Sequence, residues 1–200
     1  MKKVYCFLLL FMTSIVVVGQ NQVKGYEKSV EIKGSVGLDD QTDYAFGVSM
    51  VNGYRFNNYL YLGAGVGYEY LKGLYYRSYQ YIGHSLSTEY DSKDVRNIIQ
   101  LYARVKANFT RAKISPFASV DLGNSFSLGS SSIKMANGFF FEPAIGCDFR
   151  LNEKQTFYCS LGYNHQRYEY DFFNLTYGST EHKMQKKPSG TLCVHLGLFF

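Results

Sequence analysis

Hydrophobic and polar residues alternate with a period of two along most of this chain, and the alternation recurs about eight times after residue 27. The last segment carries it most cleanly. Leu192, Val194, Leu196, Leu198 and Phe200 share one face, and Thr191, Cys193, His195, Gly197 and Phe199 share the other. Residues 95–109 repeat the scheme, with Val95, Ile99, Leu101, Ala103, Val105, Ala107 and Phe109 opposed by Arg96, Gln100, Tyr102, Arg104, Lys106 and Asn108. In 139–151, Phe139, Phe141, Pro143, Ile145, Cys147, Phe149 and Leu151 alternate with Glu142, Asp148 and Arg150. Successive side chains of a strand point to opposite faces, so the pattern predicts strands with one greasy side. After residue 20 there is neither a long apolar run nor an apolar stripe at helical spacing.

The predicted strands are 28–38, 43–55, 59–71, 94–108, 114–126, 138–151, 156–170 and 189–200. Each exceeds the roughly 5–6 residues of an ordinary globular strand. They match the roughly 9–11 residues that a tilted strand needs to cross a bilayer, with some overhang. The connections alternate in length. Phe56-Asn57-Asn58, residues 110–113 and residues 152–155 are short; the others are a polar tip at 39–42 and longer stretches at 72–93, 129–137 and 171–188. An even strand number with short turns at one end and longer loops at the other is the topology of a transmembrane barrel. The expected fold is therefore all-β, an eight-stranded antiparallel up-and-down barrel over residues 21–200.

Residues 1–20 read as an export signal. Lys2 and Lys3 precede an uncharged stretch from Val4 to Val18 that is mostly apolar, and Val17-Val18-Gly19 suits cleavage near Gly19 or Gln20. Cys6 lies ahead of most of that stretch, so it is no lipoprotein cysteine. The whole chain carries 21 Lys+Arg against 16 Asp+Glu, and losing Lys2 and Lys3 leaves about +3. Without a basic block, nucleic acid has no footprint here. The 19 Tyr, 16 Phe and 19 Gly against 3 Pro favour strands closed by turns.

The polar faces separate a membrane wall from a soluble barrel. Glu31, Lys33, Glu69, Arg96, Arg104, Lys106, Asp121, Glu142, Asp148 and Arg150 fall at or near mid-strand. Towards lipid each would cost several kcal/mol; in a narrow interior they pair with one another. Aromatic residues gather towards strand ends, at Phe56, Tyr59, Phe109 and Phe157 near the short turns. Tyr44, Tyr68, Tyr70, Phe126, Phe139, Phe141, Tyr168 and Tyr170 lie near the long loops. Two such belts around an aliphatic middle suit rings held at headgroup level.

The export signal, the eight alternating segments and the terminal Leu196-Gly197-Leu198-Phe199-Phe200 resemble the eight-stranded outer membrane proteins of the OmpA/OmpX kind, over essentially the whole mature chain. The resemblance implies a bacterial outer membrane location, with the lipid bilayer and the barrel-assembly machinery as partners. It also implies that Leu196, Leu198 and Phe200 act as the assembly signal.

Three places hold candidate chemistry. The ionised inner face reads as a structural plug or, alternatively, a narrow ion path; a lumen of eight strands is just wide enough for side chains to fill. The aromatic residues Tyr75, Tyr76, Tyr79, Tyr81, Phe172, Phe173 and Tyr177 are candidates for binding an external ligand or protein from long loops; alternatively, the strands simply extend beyond the membrane and pair there. Small barrels of this kind include lipid-modifying enzymes, but His84, His182 and His195 are ill placed for a serine nucleophile, and His165 has no close serine. The chain is read as no enzyme, with no cofactor and no metal. Cys147 and Cys159 share a face of adjacent strands, either as a cross-strand disulfide or as two thiols; Cys193 faces inward.

Overall fold

The computed structural model describes residues 24–39, 42–82, 85–128, 138–152, 155–176 and 179–200, with only the backbone of 74–82, 85–94, 168–176 and 179–187. Eight strands follow one another: β1 (Gly25–Gly37), β2 (Tyr44–Arg55), β3 (Leu60–Ile82), β4 (Ser85–Asn108), β5 (Ile114–Leu128), β6 (Gly138–Arg150), β7 (Thr156–Thr176) and β8 (Ser179–Phe199). Each pairs antiparallel with its neighbour in sequence, and β8 returns to β1 to close the barrel. The closing register runs from Ser29↔Phe199 to Gly37↔Thr191, sealed by reciprocal bonds between the Lys28 and Phe200 backbones at 3.1 and 2.9 Å. Closure pairs each strand on both sides within the wall of the barrel.

Two of the three short turns follow from asparagine chemistry. Asn57 Oδ1 accepts from the Tyr59 and Leu60 amides, both at 2.8 Å, and so turns β2 into β3. Asn152 Oδ1 accepts from the Gln155 amide at 2.8 Å between β6 and β7. A short side-chain carbonyl mimics a backbone turn in this way.

Of the two readings of 72–93 and 171–188, the structure gives extended, paired strands rather than loops. β3 and β4 continue to pair as far as Ile82↔Ser85, and β7 and β8 as far as Thr176↔Ser179. These four strands are 21 to 24 residues long, against 12 to 15 for the other four. Two tall hairpins thus rise from opposite sides of the ring, which the sequence hides because its alternation lapses at pairs such as Tyr75-Tyr76 and Phe172-Phe173. Gly73 marks where the β3 arm changes course. It has φ +116°, the register slips between Lys72 and Leu74, and a Cβ there would come within 2.2 Å of the Asp43 amide nitrogen. Only glycine tolerates that bulge. Residues 1–23 and 129–137, with the expected signal and one expected loop, lie outside the described residues.

The faces sort as alternation predicts. Ile32, Val48, Leu101, Ile145, Leu161, Val194 and Leu196 are among the exposed residues of the outer wall. Phe46, Tyr68, Tyr70, Phe139, Phe141 and Tyr163 ring it towards the tall hairpins, and Tyr26, Phe56, Tyr59 and Phe109 ring it at the short turns.

Candidate functional site: the ionised lumen

Nine of the ten charged residues assigned to the inner face are buried: Glu31, Lys33, Glu69, Arg96, Arg104, Lys106, Asp121, Glu142 and Asp148. Arg150 is not. It is the last residue of β6, exposed at the short-turn rim. Parity along a strand gives the face but not the depth, and β6 ends before Arg150 can enter.

The buried groups stack in layers along the axis. At the short-turn end, Arg55 meets Glu27 at 2.5 Å and donates to Asn108 Oδ1 at 3.1 Å. Asn108 in turn donates to Asp148 at 2.7 Å, and Lys106 Nζ lies 2.6 Å from the other oxygen of that carboxylate. The same ammonium lies 3.8, 4.4 and 4.7 Å from the ring centres of Phe117, Phe199 and Tyr158. A desolvated cation among ring faces is held by their quadrupoles as well as by its carboxylate.

The middle layer is built on Arg104. Its Nη1 and Nη2 donate to the two Glu31 oxygens at 2.8 and 2.9 Å, and its Nε and Nη2 donate to the two Asp121 oxygens at 2.8 and 2.6 Å. One guanidinium therefore forks onto two carboxylates, one next door on β5 and one across the lumen on β1. Lysine has no equivalent of this planar fork. Ser49 and Tyr158 add hydroxyl donors to Glu31 at 2.7 and 2.6 Å. A buried charge persists where such bonds replace water.

Above it, Lys33 Nζ lies 3.3 Å from Glu69 and 3.4 Å from Glu142. Gln100 donates to Glu69 at 2.8 Å, and Asn164 donates to Glu142 Oε2 at 2.6 Å. His195 Nε2 lies 2.9 Å from Glu142 Oε1. Towards the hairpins, Thr42 meets Ser189 at 3.0 Å and Gln166 donates to Ser125. Two cavities border these layers, each about the size of one water molecule, and Glu31, Asp121, Glu142 and His195 line both.

Sequence reasoning placed Tyr102 and Phe199 on inward faces but missed the other inward rings. Tyr61, Tyr102, Phe117, Phe140, Tyr158 and Phe199 cluster inside the barrel. Four face a glycine on a neighbouring strand: Tyr102 lies between Gly65 and Gly123, Phe140 faces Gly123, Phe117 faces Gly146 and Tyr158 faces Gly197. A glycine opposite a ring leaves the ring room to lie flat on the wall. The signal lies in the glycines at inward positions, but it becomes readable only once the register is known.

The remaining candidates are placed as follows. Leu196 is exposed on the outer wall, while Leu198 and Phe200 are half-buried at the closing seam. Cys147 and Cys159 stand directly opposite one another as free thiols, half-buried on the outer side, and Cys193 is a buried free thiol. His165 is half-buried, stacked on Tyr163 at 6.5 Å between ring centres, and its register partners are Phe141 and Gly190. Tyr75, Tyr76, Tyr79, Tyr81, Phe172 and Phe173 lie on the backbone of the hairpin arms; Tyr177 and His84 are outside the described residues.

No protein-family model matches the sequence, and no curated protein matches it. Solved structures do match in fold. The outer membrane protein OprG from Pseudomonas aeruginosa is similar with a TM-score of 0.60 at 10% identity, over 91% of this chain and 99% of that one. AlkL, an outer membrane protein determined in DMPC lipid bilayers, gives 0.52 at 12% identity, over 92% of each chain. Neisserial surface protein A gives 0.50 at 15% identity, over 88% of this chain and 98% of that one. The fold, with an apolar outer wall and an ionised interior, is that of a small eight-stranded transmembrane β-barrel.

Proposed function

We propose that the chain is a bacterial outer membrane barrel whose lumen is closed by its own side chains, and that its role is structural or surface-interactive. The observation that carries the closed lumen is the Arg104 bridge, which joins Glu31 and Asp121 across the bore with four donor contacts of 2.6 to 2.9 Å. The Tyr61, Phe117, Tyr158 and Phe199 rings add an apolar stopper at the short-turn end. The outer location draws on the exposed aliphatic band between aromatic belts, which lipid tolerates and water does not. Any external ligand or protein is met by the two tall hairpins, which carry the aromatic residues at 75–81 and 172–173. Leu196, Leu198 and Phe200 offer the assembly machinery a terminal alternating strand.

A narrow ion path is the second reading, favoured by the two water-sized cavities that meet at Glu31. Recordings of the purified, refolded protein in planar bilayers separate the two. The closed-lumen reading expects a silent bilayer. Reproducible single-channel steps that vanish on altering Arg104 would overturn it.

A further inference from the structure

Glu142 on β6 and Cys193 and His195 on β8 bring a carboxylate oxygen, a thiol sulfur and an imidazole nitrogen within 4.8 Å of one another, all three residues being buried. We propose that these residues form a site in the lumen for a divalent metal of the zinc class, with Asn164 as its positioning residue. This goes beyond the structural or surface-interactive role, and the site does not depend on whether the lumen conducts.

The donor set suits the chemistry. Thiolate, imidazole and carboxylate are the three ligand types that zinc takes, and three protein ligands leave a fourth position open. Ligand atoms around a tetrahedral zinc lie roughly 3.3–3.5 Å apart, given bonds of about 2.0–2.3 Å. Here His195 Nε2 is 2.9 Å from Glu142 Oε1, and Cys193 Sγ is 4.0 Å from Glu142 Oε2. Small side-chain rotations close that difference.

The wall is shaped for the cluster. β7 lies between β6 and β8, so Glu142 must reach past it, and the residue facing Cys193 on β7 is Gly162. A Cβ at Gly162 would lie 3.2 Å from the Ala144 Cβ and 3.5 Å from His195 Nε2. The small pair Gly162 and Ala144 thus clears the floor over which Glu142 meets Cys193 and His195. Asn164, also on β7, fixes the carboxylate by donating to Oε2 at 2.6 Å, which leaves Oε1 turned to the imidazole. Partners of this kind set ligand orientation in metal sites.

One further observation points to a bound cation. The His195 ring nitrogens face two carboxylates, Nδ1 3.7 Å from Glu31 and Nε2 2.9 Å from Glu142, yet neither makes a hydrogen bond of acceptable geometry, although the side chain is 3% exposed. Buried polar atoms of this kind call for a partner. Charge permits it. Among the described residues, the buried carboxylates are Glu31, Glu69, Asp121, Glu142 and Asp148, against Lys33, Arg96, Arg104, Lys106 and the imidazole of His195, which lies between Glu31 and Glu142. A divalent ion that displaces one proton from the Cys193 thiol and one from a charged His195 leaves the net charge of the set unchanged, while Lys33 keeps Glu69 at 3.3 Å.

The test is titration of the refolded full-length chain in detergent with Co²⁺, a spectroscopic stand-in that Zn²⁺ displaces. Reduced mobility change on heating, read on a gel, checks that each variant is folded. The expected result is one equivalent of Co²⁺ bound with a near-ultraviolet thiolate-to-cobalt band. That band survives in the Cys147→Ser/Cys159→Ser double variant and is lost in Cys193→Ser. Asn164→Ala, which leaves all three ligands in place, should weaken Co²⁺ binding about 10- to 100-fold. A folded wild-type chain that shows no thiolate band in excess Co²⁺ overturns the proposal, and so does a band that persists in Cys193→Ser. Should Cys193→Ser not fold, the wild-type and double-variant spectra decide it alone.

Discussion

Tyr158 stands directly opposite Gly197 in the β7–β8 register, and a methyl group on that glycine would come within 2.2 Å of the tyrosine ring. The ring is packed on its other sides by Phe199 at 5.0 Å and Phe117 at 6.1 Å between centres. It has little freedom to retreat. Gly197→Ala should therefore cost roughly 1–3 kcal/mol, the usual penalty of overpacking. Tyr158→Phe tests the other half of the contact: it keeps the ring and removes the donor that reaches Glu31 at 2.6 Å. A loss of roughly 1.5–3 kcal/mol is expected, as for a hydrogen bond to a charged group. Urea unfolding in lipid vesicles measures both, and two neutral substitutions would show that the ring is not seated in the lumen.

These two residues also show what could be read from the chain alone. Tyr158 was not read as inward, while alternation placed Gly197 on the inner face of β8, because a period of two is a local property. It could not place them opposite each other, since register is set by turns and closure far along the chain. The ionic layers divide in the same way. Arg104 and Asp121 were legible as inward charges, but their bidentate pairing and the partner across the bore at Glu31 were not. Arg150 failed for the matching reason: it has the inward parity but lies at the rim. The hairpin arms were hidden because their residues lack clean alternation, so backbone pairing rather than side-chain pattern carries those strands.

Arg104 offers the sharpest energetic test. Its removal strands two buried carboxylates, Glu31 and Asp121, which are 4% and 5% exposed. Breaking a buried pair by deleting one partner costs about 3–5 kcal/mol. Arg104→Ala should lower barrel stability by about that much in urea unfolding. The combination Arg104→Met with Glu31→Gln and Asp121→Asn should recover most of the loss, since no ionised group is then left unpaired. If Arg104→Ala is as stable as wild type, water already reaches those carboxylates and the lumen is open.

The outer wall makes an opposite demand. Leu101 is 50% exposed in the part of β4 that lies in the barrel wall, among the aliphatic residues of the band. Arginine at a bilayer midplane costs roughly 2–4 kcal/mol, falling to about 0–1 near the interfaces. Leu101→Arg should therefore destabilise the barrel in vesicles far more than Phe109→Arg, whose site lies at the short-turn rim and is 62% exposed. Equal costs at the two depths would mean that this wall does not face hydrocarbon.

The tall β3–β4 hairpin is expected to be separable from the barrel. Its arms pair with each other beyond Gly73, where the bulge redirects the strand. Replacing residues 75–92 with a two-residue turn should leave the folded barrel and its heat-dependent gel mobility intact. Adhesion or ligand binding that depends on Tyr75, Tyr76, Tyr79 and Tyr81 should be lost with it. A truncated chain that fails to fold would make the hairpin part of the barrel's nucleus instead.

Cys147, Cys159 and Cys193 report on the orientation of the wall without adding a label site. Cys147 and Cys159 are half-buried on the outer side, whereas Cys193 is 0% exposed on the inner side. In vesicles, a maleimide that partitions into the bilayer should therefore modify Cys147 and Cys159, while a charged, impermeant one should modify none of the three. Cys193 should react only after unfolding in denaturant, because the layers around Glu142 and Thr191 must open first. A soluble barrel with its apolar face turned inward would reverse the order, exposing Cys193 to the charged reagent and shielding the other two. Mass spectrometry of the labelled chain distinguishes the two patterns.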